Sequence, residues 1–183
     1  MTAKSKTAII LVGPPGSGKT SAGRILAQRL CWSFNDTDEL IESKAGMKVS
    51  TLFAKQGEEQ FRKMETGVLE TLARERPFDA VIATGGGIIV TKGNYELMSQ
   101  IGSVVCLMGA VDTLVARLSG DSSRPLLVTN STEEDQQTVL TGKLTNLLLT
   151  RACSYAQVPC TVDTDGLSPE EVADVVMKQL DLC

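Results

Sequence analysis

The chain has 183 residues, with 18 Lys and Arg against 22 Asp and Glu, five Cys and no His. Because imidazole is missing, a Ser-His-Asp triad, a Cys-His pair and a His-rich zinc site are excluded, and acid-base chemistry falls to carboxylates, Lys, Tyr or Cys. The net charge of −4 and the small number of aromatic side chains argue against nucleic acid as a partner.

The length predicts one domain spanning residues 1–183, which can bury roughly 70% of the surface that the unfolded chain exposes. The five Cys are scattered and form no C-x-x-C pair, which indicates reduced thiols in a cytosol-like compartment. The first apolar run, Ala8–Val12, is too short for a signal peptide or a membrane span. We therefore expect a cytoplasmic protein with no membrane partner, and we expect a monomer. An organelle-targeting extension trimmed from this sequence would leave no trace in it.

Short apolar runs of β type alternate with amphipathic helical stretches along the whole chain. Strands are predicted at Ala8–Val12, Ser33–Asn35, Asp79–Ala83 and Ser103–Leu107. Helices are predicted at about Lys19–Leu30, Glu39–Lys44, Val49–Lys55, Glu58–Arg74, Asn94–Gln100, Asp112–Leu118, Asp135–Ala156 and Ser168–Leu180. The last helix opens with an N-cap Ser168, with Pro169 and with a capping-box Glu171. This alternation predicts an α/β fold in which helices cover both faces of a parallel sheet and ligands bind at the carboxyl ends of the strands.

The segment Gly13–Thr20, GPPGSGKT, follows the first strand and opens the first helix. It matches the phosphate-binding pattern G-x-x-x-x-G-K-[ST], in which backbone N–H groups curl around phosphate oxygens. In this pattern Lys19 reaches the β- and γ-phosphates and the Thr20 hydroxyl binds Mg²⁺. The alternative is a glycine-rich turn that only caps a helix, and the strand-loop-helix context argues against it.

Asp36 and Asp38 come directly after the second strand. Residues two apart on an extended segment point the same way, so both carboxylates can face the phosphates. Mg²⁺ needs a carboxylate near the Thr20 hydroxyl, and a substrate hydroxyl needs an acceptor for its proton. The alternative is structural, because Asp36 can also be a helix N-cap with Glu39 as its capping-box partner.

Two further features are ambiguous when they are taken alone. Arg62 lies four residues after Glu58 in a predicted helix, so a surface ion pair is the simplest interpretation. Gly85, Gly86 and Gly87 follow a strand, where they either let a ligand approach the backbone or form a plain tight turn.

Two arginines lie in unusual positions. Arg124 belongs to the polar segment Ser119–Glu134, which is long for a structureless connection and predicts a functional loop. Pro125 forces Arg124 out of helical geometry, so this cation either reaches a phosphoryl group or is a solvated loop residue. Arg151 continues the apolar stripe of its helix, and its charge must therefore be paired with an internal carboxylate or with an anionic substrate.

Taken together, these segments resemble the shikimate kinase family, small P-loop kinases that phosphorylate the 3-hydroxyl of shikimate on the route to chorismate and aromatic amino acids. The resemblance runs from about Ile9 to Val162. It is carried by GPPGSGKT, DTDELIE at Asp36–Glu42, LFAKQGEEQFRKME at Leu52–Glu65, ATGGG at Ala83–Gly87, RPLL at Arg124–Leu127 and RACSY at Arg151–Tyr155.

The resemblance implies a P-loop fold of the nucleoside-monophosphate-kinase type with a five-stranded parallel sheet, with ATP and shikimate as substrates and Mg²⁺ as cofactor. It places the substrate-binding region near residues 36–65 and a closing lid near residues 119–134. Shikimate is assigned to Asp38, Arg62, Gly86 and Arg151, with Phe53 and Phe61 lining its pocket. The nucleotide is assigned to Gly16, Ser17, Gly18, Lys19, Thr20, Ser21, Arg124 and Arg117, the last stacking on adenine. Mg²⁺ is assigned to Thr20 and, through water, Asp36, and the catalytic residues implied are Asp38, Lys19 and Arg124.

The chain departs from the family's pattern after the last strand. Members often carry a basic or Pro-bearing adenine contact there, and this chain has VDTDG at Val162–Gly166. Two other functions stay open from the residues: a kinase acting on gluconate or a nucleoside monophosphate, and an inactive kinase-like regulator that binds nucleotide.

Overall fold

A sheet of five parallel strands forms the centre of the computed structural model, which describes residues 8–75, 79–119 and 133–182. The strands are β1 (Ala8–Val12), β2 (Ser33–Asp36), β3 (Ala80–Ala83), β4 (Ser103–Met108) and β5 (Cys160–Asp163). Their order across the sheet is β2-β3-β1-β4-β5. The central strand β1, AIILV, is buried along its whole length, as a continuous apolar run in a parallel sheet must be.

Helices follow the strands and cover the sheet on both faces. They are α1 (Lys19–Leu30), α2 (Thr37–Ala45), α3 (Val49–Glu75), α4 (Asn94–Ile101), α5 (Val111–Ser119), α6 (Glu133–Ala156) and α7 (Pro169–Gln179). A short 3₁₀ turn, Ile88–Val90, lies between β3 and α4. The predicted α/β fold is confirmed.

Alternate residues of β1 face the two apolar layers of the core. Ala8, Ile10 and Val12 pack with side chains of α2, α3, α4 and α6, whereas Ile9 and Leu11 pack with side chains of α1 and α7. This division follows from the period of two in a strand, which turns successive side chains to opposite faces.

The longest helix, α3, is broken at Gly57, whose backbone angles of φ 78° and ψ 172° are not helical. Glycine adopts a positive φ without the steric penalty that a Cβ brings. The break agrees with the two helices that the sequence predicts at Val49–Lys55 and Glu58–Arg74. It allows the second half of α3, which carries Arg62, to start in its own direction.

The predicted helix starts are confirmed in one case and corrected in another. At α7, Ser168 accepts from the Glu171 N–H and Glu171 accepts from the Ser168 N–H, so the capping box is present. At α2, Asp36 is the N-cap and accepts from the Asp38 N–H at 3.0 Å. The expected capping-box partner Glu39 instead accepts from Nη2 of Arg24 at 2.9 Å. Asp36 is therefore a helix N-cap, as the structural alternative predicts, but it has no capping box with Glu39.

Because all five strands run in the same direction, their carboxyl ends meet at one edge of the sheet. The phosphate-binding segment Gly13–Thr20, called the P-loop below, follows β1 at this edge. Asp36 ends β2, and Thr84–Gly87 follow β3. The segments that lead from β4 into α5 and from β5 into α7 complete it. In the part of the chain that the structure describes, no helix has the length and apolarity needed to span a membrane.

Candidate active site

A cavity of about 610 Å³ opens at the carboxyl edge of the sheet. Its walls come from the P-loop and the start of α1, from the ends of β2 and β3, and from α5 and the start of α7. The lining residues are Gly16, Ser17, Gly18, Lys19, Thr20, Ser21, Ala22, Asp36, Asp38, Thr84, Gly85, Gly86, Arg117, Leu118, Leu167, Pro169 and Val172. The position agrees with the rule that parallel α/β sheets bind ligands beyond the carboxyl ends of their strands.

The P-loop wraps around the ammonium group of Lys19. Lys19 is 7% exposed, and its Nζ donates to the carbonyl oxygens of Gly13 at 3.0 Å and Pro14 at 2.8 Å. Gly13 has a φ of 141°, and a Cβ there would lie 2.1 Å from the carbonyl oxygen of Leu107. Only glycine therefore lets the loop turn this close to β4.

The Thr20 hydroxyl and the Asp36 carboxylate meet inside the cavity. Oγ1 of Thr20 donates to Oδ2 of Asp36 at 3.0 Å. Hydroxyl and carboxylate oxygens are ligands that Mg²⁺ prefers, and Mg²⁺ in kinases is typically completed by phosphates and water. Across the described ranges no three Cys, Asp or Glu come together as a metal cage.

Asp38 lines the cavity from the start of α2, and it approaches Glu65 of α3 around Gly85. A Cβ on Gly85 would lie 2.7 Å from Oδ1 of Asp38 and 3.0 Å from Oε1 of Glu65. The Gly85 N–H donates to the Thr37 hydroxyl at 3.0 Å, which fixes this turn against α2. The absence of a side chain at Gly85 is what allows two carboxylates to converge there.

Arg62 and Glu65 form an ion pair beside this turn. Nη1 of Arg62 lies 2.6 Å from Oε2 of Glu65, and Nη2 lies 2.8 Å from Oε1 of Glu58. The predicted pair with Glu58 is confirmed, and it joins a largely buried Arg62 side chain, 17% exposed, to a Glu58 side chain that is 65% exposed. Burial alone lowers the pKa of Arg62, and the hydrogen bonds and charges of Glu65 and Glu58 more than reverse this, leaving it raised.

Glu65 is fully buried, and burial raises its pKa to about 7 against the opposing effect of Arg62. Its second oxygen, Oε1, accepts no hydrogen bond from the described residues. Glu65 is the functional candidate that sequence reasoning missed. The available signal is its spacing of three residues from Arg62 on the same helix, which places the two side chains on one face.

Arg151 and Tyr155 lie one helical turn apart on α6, and both contact the glycine segment Gly85–Gly87. Nη1 of Arg151 and the Tyr155 hydroxyl both donate to the carbonyl oxygen of Gly86 at 2.9 Å. The sequence leaves open an internal carboxylate or an anionic substrate as the partner of Arg151, and the hydrogen bond found here is to a backbone carbonyl. This acceptor carries no charge, and the charge of Arg151 also lowers the pKa of the nearby Glu65 carboxyl.

The two aromatic residues predicted to line the pocket pack against each other. The rings of Phe53 and Phe61 are 4.7 Å apart between centroids, and the Arg62 guanidinium lies 5.8 Å from the centre of the Phe61 ring. Phe61 is buried in the core layer of α3. Phe53, Phe61, Arg62 and Arg151 are not among the lining residues of the cavity. Arg151 adjoins the cavity at Gly86, and Arg62 lies against the next residue, Gly87.

The far end of the cavity is formed by Arg117 of α5 together with Leu118, Leu167 and Pro169. Arg117 donates to the Thr164 hydroxyl at 2.9 Å and to the Thr164 carbonyl at 2.6 Å. Sequence patterns do not indicate Leu167 and Pro169 as site residues, because the place of Pro169 in the first turn of α7 already accounts for it. Arg124 and most of the predicted lid, residues 120–132, lie outside the described residues.

The model of the shikimate kinase family matches residues 15–181 of this chain. The chain belongs to the shikimate kinase family. A shikimate kinase of Vibrio campbellii is 40% identical over 176 residues, which cover 96% of this chain and 97% of the relative. One from Thermodesulfovibrio yellowstonii is 35% identical over 171 residues, 93% of either chain. Among solved structures, shikimate kinase from Acinetobacter baumannii in complex with shikimate matches with a TM-score of 0.85 and 35% identity, over 97% of this chain and 94% of that one.

Membership of the shikimate kinase family confirms the resemblance on which the sequence interpretation depends. It identifies the fold as that of P-loop kinases and the chain as a phosphotransferase with an alcohol group as acceptor. The family model spans every motif quoted above except the first residues of the P-loop.

Proposed function

We propose that this chain transfers the γ-phosphoryl group of Mg·ATP to the 3-hydroxyl of shikimate, giving shikimate 3-phosphate and ADP. The relatives that it matches over nearly their whole length are shikimate kinases, and one of the solved relatives is a complex with shikimate. One observation supports the proposal from the geometry. A single cavity is lined by the P-loop, by the Thr20–Asp36 pair, by Asp38, and by Gly86, whose carbonyl oxygen accepts from Arg151.

The nucleotide is proposed to bind along the P-loop. The backbone N–H groups from Gly16 to Thr20, at the positive end of α1, take the phosphate oxygens. The buried ammonium of Lys19 exchanges neutral carbonyl acceptors for anionic phosphates, which attract it more strongly. Ser21 and Arg117 extend this site toward the base, and Arg124 is proposed to join Lys19 at the transferring group.

The divalent metal is proposed to be Mg²⁺, held by the Thr20 hydroxyl and, through water, by the Asp36 carboxylate. When bound, Mg²⁺ neutralises charge on the β- and γ-phosphates. The present hydrogen bond between Thr20 and Asp36 orients both oxygens into the cavity.

The acceptor is proposed to bind on the side of Asp38 and the glycine segment. Arg62 and Arg151 would take the shikimate carboxylate, because a planar guanidinium matches a carboxylate in shape and charge. Asp38 would accept the proton of the attacking hydroxyl. The transition state of phosphoryl transfer is largely dissociative, so the orientation supplied by Asp38 should contribute more than its basicity.

The test is an assay of ADP release with shikimate, gluconate, nucleoside monophosphates and no acceptor, each in turn. We expect turnover only when shikimate is the acceptor. ³¹P NMR should then identify the product as a phosphate monoester of the 3-hydroxyl. Turnover with gluconate or a nucleotide instead would identify a different small-molecule kinase, and no turnover with any acceptor would favour a nucleotide-binding regulator. The Lys19→Met variant is the control for contaminating kinases. The monomeric state, the cytoplasmic location and the organisation of residues 1–183 as one domain stay predictions.

A further inference from the structure

A buried threonine just after β5 lies behind the arginine at the far end of the cavity. Thr164 has no exposed surface. Its hydroxyl donates to the carbonyl oxygen of Met108 at 2.8 Å and accepts from Nη1 of Arg117 at 2.9 Å. A hydroxyl has a single proton, so the bond to Met108 turns a lone pair toward Arg117.

The guanidinium of Arg117 is fixed in orientation as well as in place. Its Nη2 donates to the carbonyl oxygens of Thr164 at 2.6 Å and Leu167 at 3.3 Å. The N–H donors all lie in the plane of the guanidinium, so these hydrogen bonds fix the orientation of that plane. None of them occupies a flat face of the group. A flat cation of this kind can stack on a flat aromatic ligand.

The segment that carries Thr164 is itself tied to α5, the helix of Arg117. The Thr164 N–H donates to the carbonyl oxygen of Met108, the last residue of β4, at 2.9 Å. Both carboxylate oxygens of Asp165 accept from the N–H of Ala110, immediately before α5, at 3.0 Å. The loop after β5 therefore contacts α5 near its first and its last turn.

We propose that Thr164 is a positioning residue for the nucleotide, which acts by holding Arg117 as one wall of the base site. The inference rests on the proposed function, because it takes the far end of the cavity to be the place of the ATP base. Leu167 and Pro169 line the same end of the cavity and provide apolar surface for the base. The segment Val162–Gly166, which lacks the basic or Pro-bearing contact often found in the family, thus serves the nucleotide indirectly through Thr164.

The test compares Thr164→Val, which keeps the shape and removes the hydroxyl, with Thr164→Ser, which keeps the hydroxyl. Binding of ADP to each protein is measured by calorimetry without any acceptor. We expect Thr164→Val to raise the Kd for ADP by about 5- to 20-fold, the effect of losing a hydrogen bond to a charged group, and Thr164→Ser to stay within about twofold. The KM for ATP should rise with the Kd, and the KM for shikimate should not change.

A double-mutant cycle tests whether Thr164 acts through Arg117. In an Arg117→Ala background, Thr164→Val should weaken ADP binding no further, since its partner has gone. The matched control is Thr71→Val, which removes a hydroxyl that donates within α3 to Gly67 at 2.9 Å and should leave ADP binding unchanged. Thr164→Ala replaces Thr164→Val if the latter does not give a folded protein by circular dichroism.

Unchanged ADP binding in folded Thr164→Val, or equal losses in the wild-type and Arg117→Ala backgrounds, would overturn the positioning role. So would a parallel rise in the KM for both substrates, which indicates a general structural defect. A wild-type protein that binds ADP but does not phosphorylate shikimate would contradict the proposed acceptor instead, and the ADP measurements would still decide the role of Thr164.

Discussion

The carboxylate of Glu65 is fully buried and lies 2.6 Å from the guanidinium of Arg62. The pKa of this carboxyl is raised to about 7, because burial and the charge of Asp38 together outweigh the lowering effects of Arg62 and Arg151. Glu65 thus changes its charge near neutral pH, beside the arginine that is proposed to bind the carboxylate of the acceptor.

This relationship predicts a pH dependence of acceptor binding. Below about pH 7, Glu65 is protonated and no longer neutralises Arg62, so the anionic substrate binds more tightly; above it, the ionised Glu65 competes with the substrate for the same cation. We expect the KM for shikimate to rise as the pH increases through about 7, and the KM for ATP to change less. Initial rates at saturating ATP across this range measure the effect.

The matched variant for this pH effect is Glu65→Gln, which keeps the shape and cannot ionise. Its KM for shikimate should lose the step near pH 7. The chain contains no His, so a step that persists in Glu65→Gln would come from the ATP phosphates or another carboxylate and would contradict the assignment to Glu65.

Replacing Arg151 should separate the two substrates. Arg151 donates to the carbonyl of Gly86 and keeps its charge at the acceptor side of the cavity. We expect Arg151→Ala to raise the KM for shikimate by about 10- to 100-fold, as for a lost charge-assisted hydrogen bond, with a much smaller effect on ATP. Tyr155→Phe removes the other bond to the same carbonyl without removing a charge, so it tests the effect on Gly86 alone. Equal effects of Arg151→Ala on both substrates would argue against a carboxylate-binding role.

Asp38 should control turnover more than binding. We expect Asp38→Asn to lower kcat by about 10²-fold or more, because the amide holds the attacking hydroxyl less firmly than the carboxylate does and cannot take its proton. Stopped-flow measurement of a single turnover shows whether the transfer step itself is slowed. A variant with near-normal kcat would remove Asp38 from the role of proton acceptor.

Asp36 should affect the metal requirement. Its Oδ2 accepts from the Thr20 hydroxyl at 3.0 Å, and both oxygens are proposed to serve Mg²⁺. We expect Asp36→Asn to raise the Mg²⁺ concentration needed for half-maximal activity by about tenfold, within the range seen when supporting groups of metal sites are changed. Titration of Mg²⁺ at fixed ATP measures this concentration. If the concentration were unchanged in Asp36→Asn, the only role left for Asp36 would be that of the N-cap of α2.

The sequence predicts the fold well because local patterns and long-range structure agree in this chain. The apolar run Ala8–Val12 has no solvent-facing side, and in the structure it is the central strand. Gly57 separates two helical patterns, and it is the point at which α3 breaks. The family resemblance implies a fifth strand without giving its bounds, and no local pattern predicts the strand Cys160–Asp163, of which only Val162 is buried.

The site is predicted less completely, because its contacts join residues far apart in the chain. Motif spacing places Lys19, Thr20, Asp36 and Asp38 in one cavity, and the structure agrees. No local pattern shows that Arg151 binds the carbonyl of Gly86, or that Asp38 and Glu65 converge on Gly85. These relationships follow from how α2, α3 and α6 meet at the edge of the sheet.

The glycine segment offers a test of how closely this edge is packed. A Cβ on Gly87 would lie 2.3 Å from Nη1 of Arg62, while its own backbone angles, φ −108° and ψ −5°, suit any residue. The guanidinium would have to move, and moving it disturbs its pairs with Glu65 and Glu58. We therefore expect Gly87→Ala to raise the KM for shikimate by about tenfold, the effect of misplacing one charge-assisted contact, and to leave the KM for ATP nearly unchanged.

The matched control is Gly67→Ala in α3, where a Cβ would meet no atom within 4 Å. Alanine is the better helix former, so this variant should increase the free energy of unfolding by about 0.5–1 kcal/mol and leave both KM values unchanged. Thermal melting and initial rates measure the two effects. If Gly87→Ala had the wild-type KM for shikimate, acceptor binding would not depend on the present position of the Arg62 guanidinium.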